Sequence, residues 1–277
     1  MMLAKNGVVR LKSDTMHYIR FGSGPLPLIM LPGLGDGLTT VKGTALPMAL
    51  MYRAYAKTHT VYMLSRRNHL PEGYTTLDMA RDLKEAMDAL SVAKADLIGV
   101  SMGGMIAQHF AAEYPKRVRR LVLAVTCAQP NPTLEESVRE WMQLAARGDH
   151  TALMDSNVRR MYSNGYYRKN KRLIPLMGRL TKPRSYNRFF IQAAACLTHD
   201  AFHQLARIAA PTLIIGGEQD RALGAQASRE IAAAIPDAKL KMYPQWGHGL
   251  YEEAKDFNQI VLDFLKAPLD MDIPGAH

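Results

Sequence analysis

Short apolar runs alternate with longer amphipathic stretches along most of the chain. Residues 26–31 form an uninterrupted apolar run, which is typical of a strand buried on both faces. Residues 77–90 carry apolar side chains at helical spacing, with Asp and Lys between them, which predicts an amphipathic helix. The predicted strands are 8–11, 16–21, 26–31, 60–64, one ending at 98, 118–125, 212–216 and 239–243, and the predicted helices are 46–56, 77–90, 105–112, 227–235 and 252–266.

This alternation of strands and helices predicts an α/β fold with a mostly parallel sheet and helices on both faces. The pattern changes after Thr126, because helix-like segments alternate with Arg-rich turns from residue 133 to about 205, and it resumes at Pro211. Ligands of open α/β sheets bind outside the carboxyl ends of the strands, so an insertion there would cover a site. We therefore predict a core of residues 1–130 and 207–277 and a helical cap of residues 131–206.

Composition places the chain among ordinary globular proteins, with 277 residues, 48% of them hydrophobic and 22% charged. The first twenty residues lack the long apolar run of a signal peptide, and no stretch is apolar enough to span a membrane. Two cysteines, Cys127 and Cys196, do not make a disulfide framework. These features predict a cytoplasmic protein with two buried, reduced thiols.

The positive charge is concentrated in the predicted cap. The formal net charge is +10, and residues 131–210 hold thirteen Lys or Arg against six Asp or Glu. One interpretation is a solvated helical face, and the other is a surface that attracts an acidic partner or an anionic substrate. No nucleic-acid-binding motif accompanies these residues, so nucleic acid is not an expected partner.

The segment Gly99-Val100-Ser101-Met102-Gly103 lies where an apolar strand ends and an apolar helix begins. A serine on such a tight turn is pushed out of the backbone at the positive end of a helix. The flanking glycines leave room where neighbouring backbone packs too closely for a Cβ atom. This pattern predicts that Ser101 is a nucleophile.

A serine hydroxyl needs a base, and the base needs an acid that holds its tautomer. His248 follows the strand 239–243, and Asp220 follows the strand 212–216, so both are expected at the carboxyl edge of the sheet with Ser101. Two alternatives remain open: Glu218 as the acid, and Asp220 as a loop carboxylate paired with Arg221. Of the other histidines, His109 is predicted in the core, and His59, His69 and His150 are predicted in loops. For His199 and His203, at the end of the cap, a surface position is predicted and a role in the site is the alternative.

The developing oxyanion needs two hydrogen-bond donors. The first candidate is the backbone N–H of Met102, directly after the nucleophile. The second is the N–H of Leu34, in the loop after the strand 26–31, where Gly33 allows a tight turn. A phosphate-binding loop is the alternative for residues 32–37, but the Lys-Ser/Thr pair and the G-x-G-x-x-G spacing are both missing.

These motifs resemble those of the α/β-hydrolase fold superfamily over nearly the full chain, and most closely the small bacterial esterases and enol-lactonase-like proteins. The stretches that carry the resemblance are residues 31–35, 99–104, 211–220 and 247–248. The resemblance implies an eight-stranded sheet with a helical cap, a triad of Ser101, Asp220 and His248, and an oxyanion pair of Leu34 and Met102. Two departures are visible: Pro32 stands where many relatives have His, and Ser65-Arg66-Arg67 stands where many have Asp-x-x-Gly.

The resemblance further implies a serine hydrolase that cleaves a carboxylic ester or related acyl bond through an acyl-enzyme, without metal or organic cofactor. Ester, lactone and thioester substrates all remain open, and the expected partner is a small-molecule acyl substrate that the basic cap would suit if it were anionic. The same residues would serve an acyltransferase or a cofactor-free haloperoxidase-like member. A ligand-binding member with little turnover is the non-enzymatic alternative.

Overall fold

Eight strands form one sheet in a computed structural model, which describes residues 4–268. The sheet order is β1-β2-β4-β3-β5-β6-β7-β8. β1, β2 and β4 pair antiparallel, and every pairing from β4 across to β8 is parallel. The strands are β1 (Lys5–Arg10), β2 (Thr15–Phe21), β3 (Leu26–Leu31), β4 (His59–Arg67), β5 (Ala95–Val100), β6 (Val118–Ala124), β7 (Thr212–Gly217) and β8 (Lys239–Tyr243). The mostly parallel eight-stranded sheet expected from the resemblance is confirmed.

The helices outside the inserted segment follow the predicted order with two differences. The helix expected over residues 252–266 is two helices, because Ala254 leaves the helical region with φ −79° and ψ 111°. The helix expected over 46–56 ends at Met51 and continues as a short 3₁₀ turn, Arg53–Tyr55. The helices are α1 (Ala45–Met51), α2 (Thr76–Ala89), α3 (Met102–Glu113), α4 (Pro132–Ala146), α5 (His150–Met161), α6 (Asn164–Asn170), α7 (Ile174–Leu180), α8 (Asn187–Leu197), α9 (Gln226–Ala234), α10 (Leu250–Glu253) and α11 (Phe257–Lys266). Within residues 4–268, none is long and apolar enough to cross a membrane.

The central strands are apolar on both faces because each face packs against helices. In β3, Ile29 and Leu31 belong to the core formed with α2 and α3, whereas Leu28 and Met30 belong to the core formed with α1 and α11. Successive side chains of a strand point to opposite faces, so a strand between two helical layers needs an unbroken apolar run. Burial of each of these side chains contributes roughly 2 kcal/mol.

Five helices, α4 to α8, lie between β6 and β7, and the described structure has no strand between residues 125 and 211. α8 packs against the loop after β3 so closely that a Cβ atom on Gly37 would lie 2.7 Å from Cα of Phe189. The insertion therefore contacts the loop that was predicted to hold an oxyanion. The division into core and cap at residues 130 and 207 stays a prediction.

The two thiols are both buried and unpaired, as predicted. Cys127 follows β6, and Cys196 lies in α8. Burial raises the pKa of the Cys196 thiol to about 12 and raises that of Cys127 further. Both therefore act as small apolar core residues rather than as nucleophiles.

Candidate active site

Ser101 lies on the turn between β5 and α3, in a conformation that L-residues rarely adopt. Its φ is 54° and its ψ is −123°, and its backbone N–H donates to the carbonyl of Ala124 at 2.9 Å. A Cβ atom on Gly103 would lie 2.1 Å from the carbonyl oxygen of Leu31, so only glycine allows α3 to start this close to β3. The strained turn is thus held by its neighbours on both sides.

Ser101, His248 and Asp220 form a continuous hydrogen-bonded chain. Nε2 of His248 is 3.0 Å from Oγ of Ser101, and Nδ1 of His248 is 2.9 Å from Oδ2 of Asp220. The second carboxylate oxygen of Asp220 accepts from the N–H groups of Ala222 and Leu223, at 2.8 and 2.9 Å. Burial alone would raise the pKa of Asp220, but His248 and these two amides outweigh it and hold the pKa below its usual range. The three predicted side chains are brought together by three separate loops.

The alternative partners are engaged elsewhere. Glu218 forms an ion pair with Arg229. The guanidinium of Arg221 donates to Oδ1 of Asn164 at 3.2 Å and to the carbonyl of Tyr162 at 2.8 Å. Asp220 therefore has His248 as its side-chain partner, and not Arg221.

The two predicted oxyanion donors flank the serine in the fold. Met102 is the first residue of α3, so its N–H has no acceptor within the helix. Leu34 begins the 3₁₀ turn Leu34–Gly37, next to Gly33. A Cβ atom on Gly33 would lie 3.2 Å from Cβ of Ser101, so this loop passes alongside the nucleophile. The oxyanion role of Leu34 and Met102 stays a prediction.

Asp36 anchors the loop after β3, a role that the sequence did not reveal. Its buried carboxylate accepts hydrogen bonds from the backbone N–H of Arg66 at 3.1 Å and from Nη2 of Arg188 at 2.8 Å. Nε2 of Gln192 also lies within 3.3 Å. Since Arg66 belongs to β4 and the other two to α8, the loop is tied both to the sheet and to the inserted helices.

A cavity of about 480 Å³ opens onto Ser101 and His248. Its wall is mostly apolar and draws on the sheet, on α1 and on the inserted helices. Six methionines contribute to it: Met30, Met48, Met51, Met63, Met154 and Met161. Flexible thioether side chains adapt to differently shaped apolar groups, so the wall suits hydrocarbon chains or rings.

Few charged groups line this cavity. Glu252 is one of them, and it accepts a hydrogen bond of 2.7 Å from the Tyr162 hydroxyl. Burial raises the pKa of its carboxyl, and the neighbouring Glu253 adds to that effect. Among the described residues that line the cavity there is no Lys or Arg. Apart from histidines, the charged residue types in the described wall are therefore acidic, Asp36 and Glu252.

Three histidines are more buried than predicted. His59 is the first residue of β4, and its Nε2 lies 3.1 Å from Oδ2 of Asp96. His150 begins α5, lines the cavity and contacts the Thr181 hydroxyl at 3.2 Å. His199 is 1% exposed and lies 2.9 Å from the Thr76 hydroxyl. The predicted loop position was wrong for His59 and His150, and the predicted surface position was wrong for His199, because sequence position near a turn does not fix burial.

The architecture is that of the α/β hydrolases: a mostly parallel eight-stranded sheet between helical layers, with a strand–serine–helix turn at its centre. The chain belongs to the alpha/beta hydrolase fold family, whose sequence model matches residues 27–255. The resemblance stated from the motifs is thereby confirmed.

Similar proteins include several hydrolases. The chain is 31% identical over 197 residues to the 2-hydroxy-6-oxo-6-phenylhexa-2,4-dienoate hydrolase of Burkholderia cepacia, which covers 67% of this chain and 68% of that protein. It is 30% identical over 194 residues to the poly(3-hydroxyalkanoate) depolymerase of Ectopseudomonas oleovorans, covering 68% of this chain and 66% of that protein. The crystal structure of the enol-lactonase from Burkholderia xenovorans LB400 shares the fold, with a TM-score of 0.79 at 24% identity over 94% of this chain and 100% of that one. Family and relatives together support hydrolase activity.

Proposed function

We propose that this protein is a serine hydrolase that cleaves an acyl bond in an uncharged, largely apolar compound such as an ester, lactone or thioester. Ser101 is the nucleophile, His248 the general base and acid, and Asp220 the group that orients His248. The observation that carries the proposal is the hydrogen-bonded chain from Ser101 through His248 to Asp220, with separations of 3.0 and 2.9 Å.

In the proposed reaction, Oγ of Ser101 attacks the substrate carbonyl while Nε2 of His248 takes the hydroxyl proton. The carbonyl oxygen becomes an oxyanion, which the N–H groups of Met102 and Leu34 stabilise. His248 then gives the proton to the leaving oxygen or sulfur, and the acyl group stays on Ser101. Water attacks this ester, loses its proton to His248, and the carboxylic acid leaves as Ser101 regains the proton.

The cavity wall supports an uncharged substrate. A carboxylate brought into an apolar cavity loses its hydration and needs a cation or several donors in return. The described wall offers no Lys or Arg, and its Glu252 would repel a carboxylate. One relative is named as a depolymerase of a polyester, which also supports ester cleavage.

Cleavage of a carbon–carbon bond is the second candidate, because the relative at 31% identity is named as a dienoate hydrolase. That substrate carries a carboxylate, for which the wall has no matching cation. We therefore favour the ester, lactone or thioester. Acyl transfer remains an alternative with the same triad, which added alcohol or thiol acceptors would reveal as new acyl products.

The test is a substrate panel combined with active-site labelling. The panel contains p-nitrophenyl esters of increasing acyl length, lactones, acyl thioesters and a 2-hydroxy-6-oxo-dienoate. We expect turnover of the uncharged acyl compounds, fluorophosphonate labelling of the wild type, and loss of both in Ser101→Ala, with kcat/KM falling at least about 1000-fold. Ser185→Ala, which removes an exposed hydroxyl, is the matched control and should behave as wild type.

Two results would change the proposal. Labelling and turnover that persist in Ser101→Ala would refute the nucleophile. Turnover of the dienoate far above that of every ester, lactone and thioester would keep the triad but replace the substrate class.

A further inference from the structure

Four aliphatic side chains, three on helix α7 and one on the residue at its N-cap, Leu173, are exposed along one face. Leu173, Leu176, Met177 and Leu180 are 56%, 56%, 47% and 73% exposed. Their spacing repeats at three, four and seven residues, which places them on one stripe of the helix. The opposite face is packed: Ile174 is buried, and a Cβ atom on Gly178 would lie 2.9 Å from Cα of Thr151 in α5. The stripe is therefore a surface feature and not a loosely packed core.

Basic residues flank this stripe in the sequence. Residues 156–199 contain ten Lys or Arg and no Asp or Glu. The basic residues next to the stripe in sequence are exposed, and they are Lys169, Lys171, Arg172, Arg179, Lys182 and Arg184. None of them lines the cavity. The catalytic proposal therefore leaves the basic surface without a role.

We propose that this α7 surface, formed by the four aliphatic side chains and the flanking Lys171, Arg172, Arg179 and Lys182, docks onto an anionic lipid surface. A helix with aliphatic residues on one side and Lys and Arg beside them lies in the plane of such an interface. The aliphatic groups enter the acyl boundary while the cations meet anionic headgroups, and each cation strengthens binding by about fivefold.

The charge and the convex shape of the α7 surface both favour a lipid partner. A second copy of the chain would bring Lys171, Arg172, Arg179 and Lys182 of the two copies against each other, which opposes association through this face. An acidic protein could match the charges, but it would need a groove that fits four convex aliphatic side chains. Lipid acyl chains need no preformed groove. The positive charge of the α7 surface and its protruding aliphatic side chains are therefore both matched by an anionic lipid surface.

The surface adjoins the cavity. Thr181, the residue after α7, lines the cavity and is hydrogen-bonded to His150. Docking through α7 would thus bring part of the cavity wall next to the lipid. Because docking does not need the Ser101 hydroxyl, this inference goes beyond the proposed function and stands or falls separately from it.

The test is co-sedimentation with vesicles, performed with the wild type and with Ser101→Ala. The protein should co-sediment with vesicles of equimolar phosphatidylglycerol and phosphatidylcholine but not with vesicles of pure phosphatidylcholine. Added salt should weaken the binding to the anionic vesicles. Equal binding of Ser101→Ala would show that the docking is independent of catalysis.

Variants of the surface make the test specific. Lys171→Glu with Arg172→Glu should weaken binding to the anionic vesicles by roughly 30-fold or more, and Leu176→Ser with Leu180→Ser by about tenfold. Lys116→Glu with Lys239→Glu makes the same charge change elsewhere, and Val8→Ser with Leu240→Ser removes exposed aliphatic groups from the edge strands. Both control pairs should bind as wild type. An unchanged Tm and unchanged hydrolysis of a short, soluble ester would establish that each variant is folded.

Three outcomes would overturn the proposal. In the first, anionic vesicles bind no better than neutral ones, or the control pairs weaken binding as much as the α7 pairs. In the second, the protein binds polyglutamate tightly and the two leucine substitutions leave that binding unchanged, which would indicate an acidic protein partner. In the third, the wild type is a dimer by sedimentation velocity and Leu176→Ser with Leu180→Ser makes it monomeric.

Discussion

The buried guanidinium of Arg66 donates a hydrogen bond of 2.5 Å from Nη2 to the carbonyl oxygen of Pro32. Pro32 precedes Gly33 and Leu34 in the proposed oxyanion loop. The backbone N–H of Arg66 also donates a hydrogen bond to the carboxylate of Asp36, which belongs to the same loop. The two departures from the family pattern, Pro32 and the segment Ser65-Arg66-Arg67 at the end of β4, therefore meet in space. One strand end holds the loop at two points.

We expect Arg66→Met to lower kcat by roughly 10- to 100-fold while KM changes little. The substitution removes the support of the Pro32–Gly33 peptide, so the N–H of Leu34 is less well aimed at the developing oxyanion, where donor placement matters most. Steady-state kinetics on an ester that the wild type hydrolyses would measure this. Arg66→Lys should recover part of kcat, because a shorter cation can still donate to the loop.

A purely structural effect would give a different result. If Arg66→Met only destabilised the protein, kcat per folded molecule would stay constant while Tm fell. Arg53→Met, at an exposed position on the 3₁₀ turn after α1, is the control for loss of a surface cation.

Glu252 should determine how the enzyme treats charged acyl groups. In esters with acyl chains of equal length, the wild type should prefer a neutral or ammonium end over a carboxylate end. Glu252→Gln should raise kcat/KM for the carboxylate by roughly tenfold and lower it for the ammonium by a similar factor, since a charge at a few ångströms in a partly buried site contributes on this order. The neutral ester should change less than about twofold.

Glu253→Gln is the matched control for this substitution. Its carboxylate binds the N–H and hydroxyl of Ser163, at 2.9 and 2.6 Å, and is not part of the cavity wall. The same shift in charge preference for both variants would mean that net charge, and not the position of Glu252, sets the selectivity.

Gly103→Ala should destabilise the protein by about 2–3 kcal/mol and reduce turnover. The new Cβ would lie 2.1 Å from the carbonyl oxygen of Leu31, so α3 must move away from β3 and displace Ser101. This outweighs the gain of about 1 kcal/mol that alanine has over glycine in a helix. Gly35→Ala, where no atom lies within 4 Å of the new Cβ, should unfold at the wild-type urea concentration.

Stability should fall below neutral pH in part because His199 is buried. Burial and the neighbouring His109 lower its pKa from 6.5 to about 3. The unfolded chain takes up a proton as the pH falls through 6.5, and the folded protein does not until about 3, so the stability present above pH 6.5 is lost progressively over that range.

The measurement is the free energy of unfolding in urea at about pH 7 and about pH 5. The wild type should lose roughly 1–2 kcal/mol more than His199→Gln between these values. The exposed His203 lies four residues further on, and the free energy of unfolding of His203→Gln should depend on pH as that of the wild type does. An identical pH profile for wild type and His199→Gln would contradict the prediction.

The site divides into residues that local pattern reveals and residues that it does not. Ser101, Asp220 and His248 each follow a strand, and the carboxyl ends of parallel strands share one edge, so their proximity could be predicted. Asp36 and Arg66 sit in no recognisable motif. Their function in the loop depends on hydrogen bonds to groups about 30 residues away in the sequence. Local hydrophobic periodicity does not predict hydrogen bonds over that separation.

The sequence by itself determined the strands, the order of the helices outside the insertion and the position of the serine turn. Hydrophobic periodicity and the placement of glycines depend on residues that are close together in the sequence. Only the tertiary structure decided that His59, His150 and His199 are buried, that the basic residues stay outside the cavity, and that four aliphatic side chains on α7 and at its N-cap are exposed. Burial and contact depend on which elements pack together in three dimensions, and that packing is set by the whole chain at once.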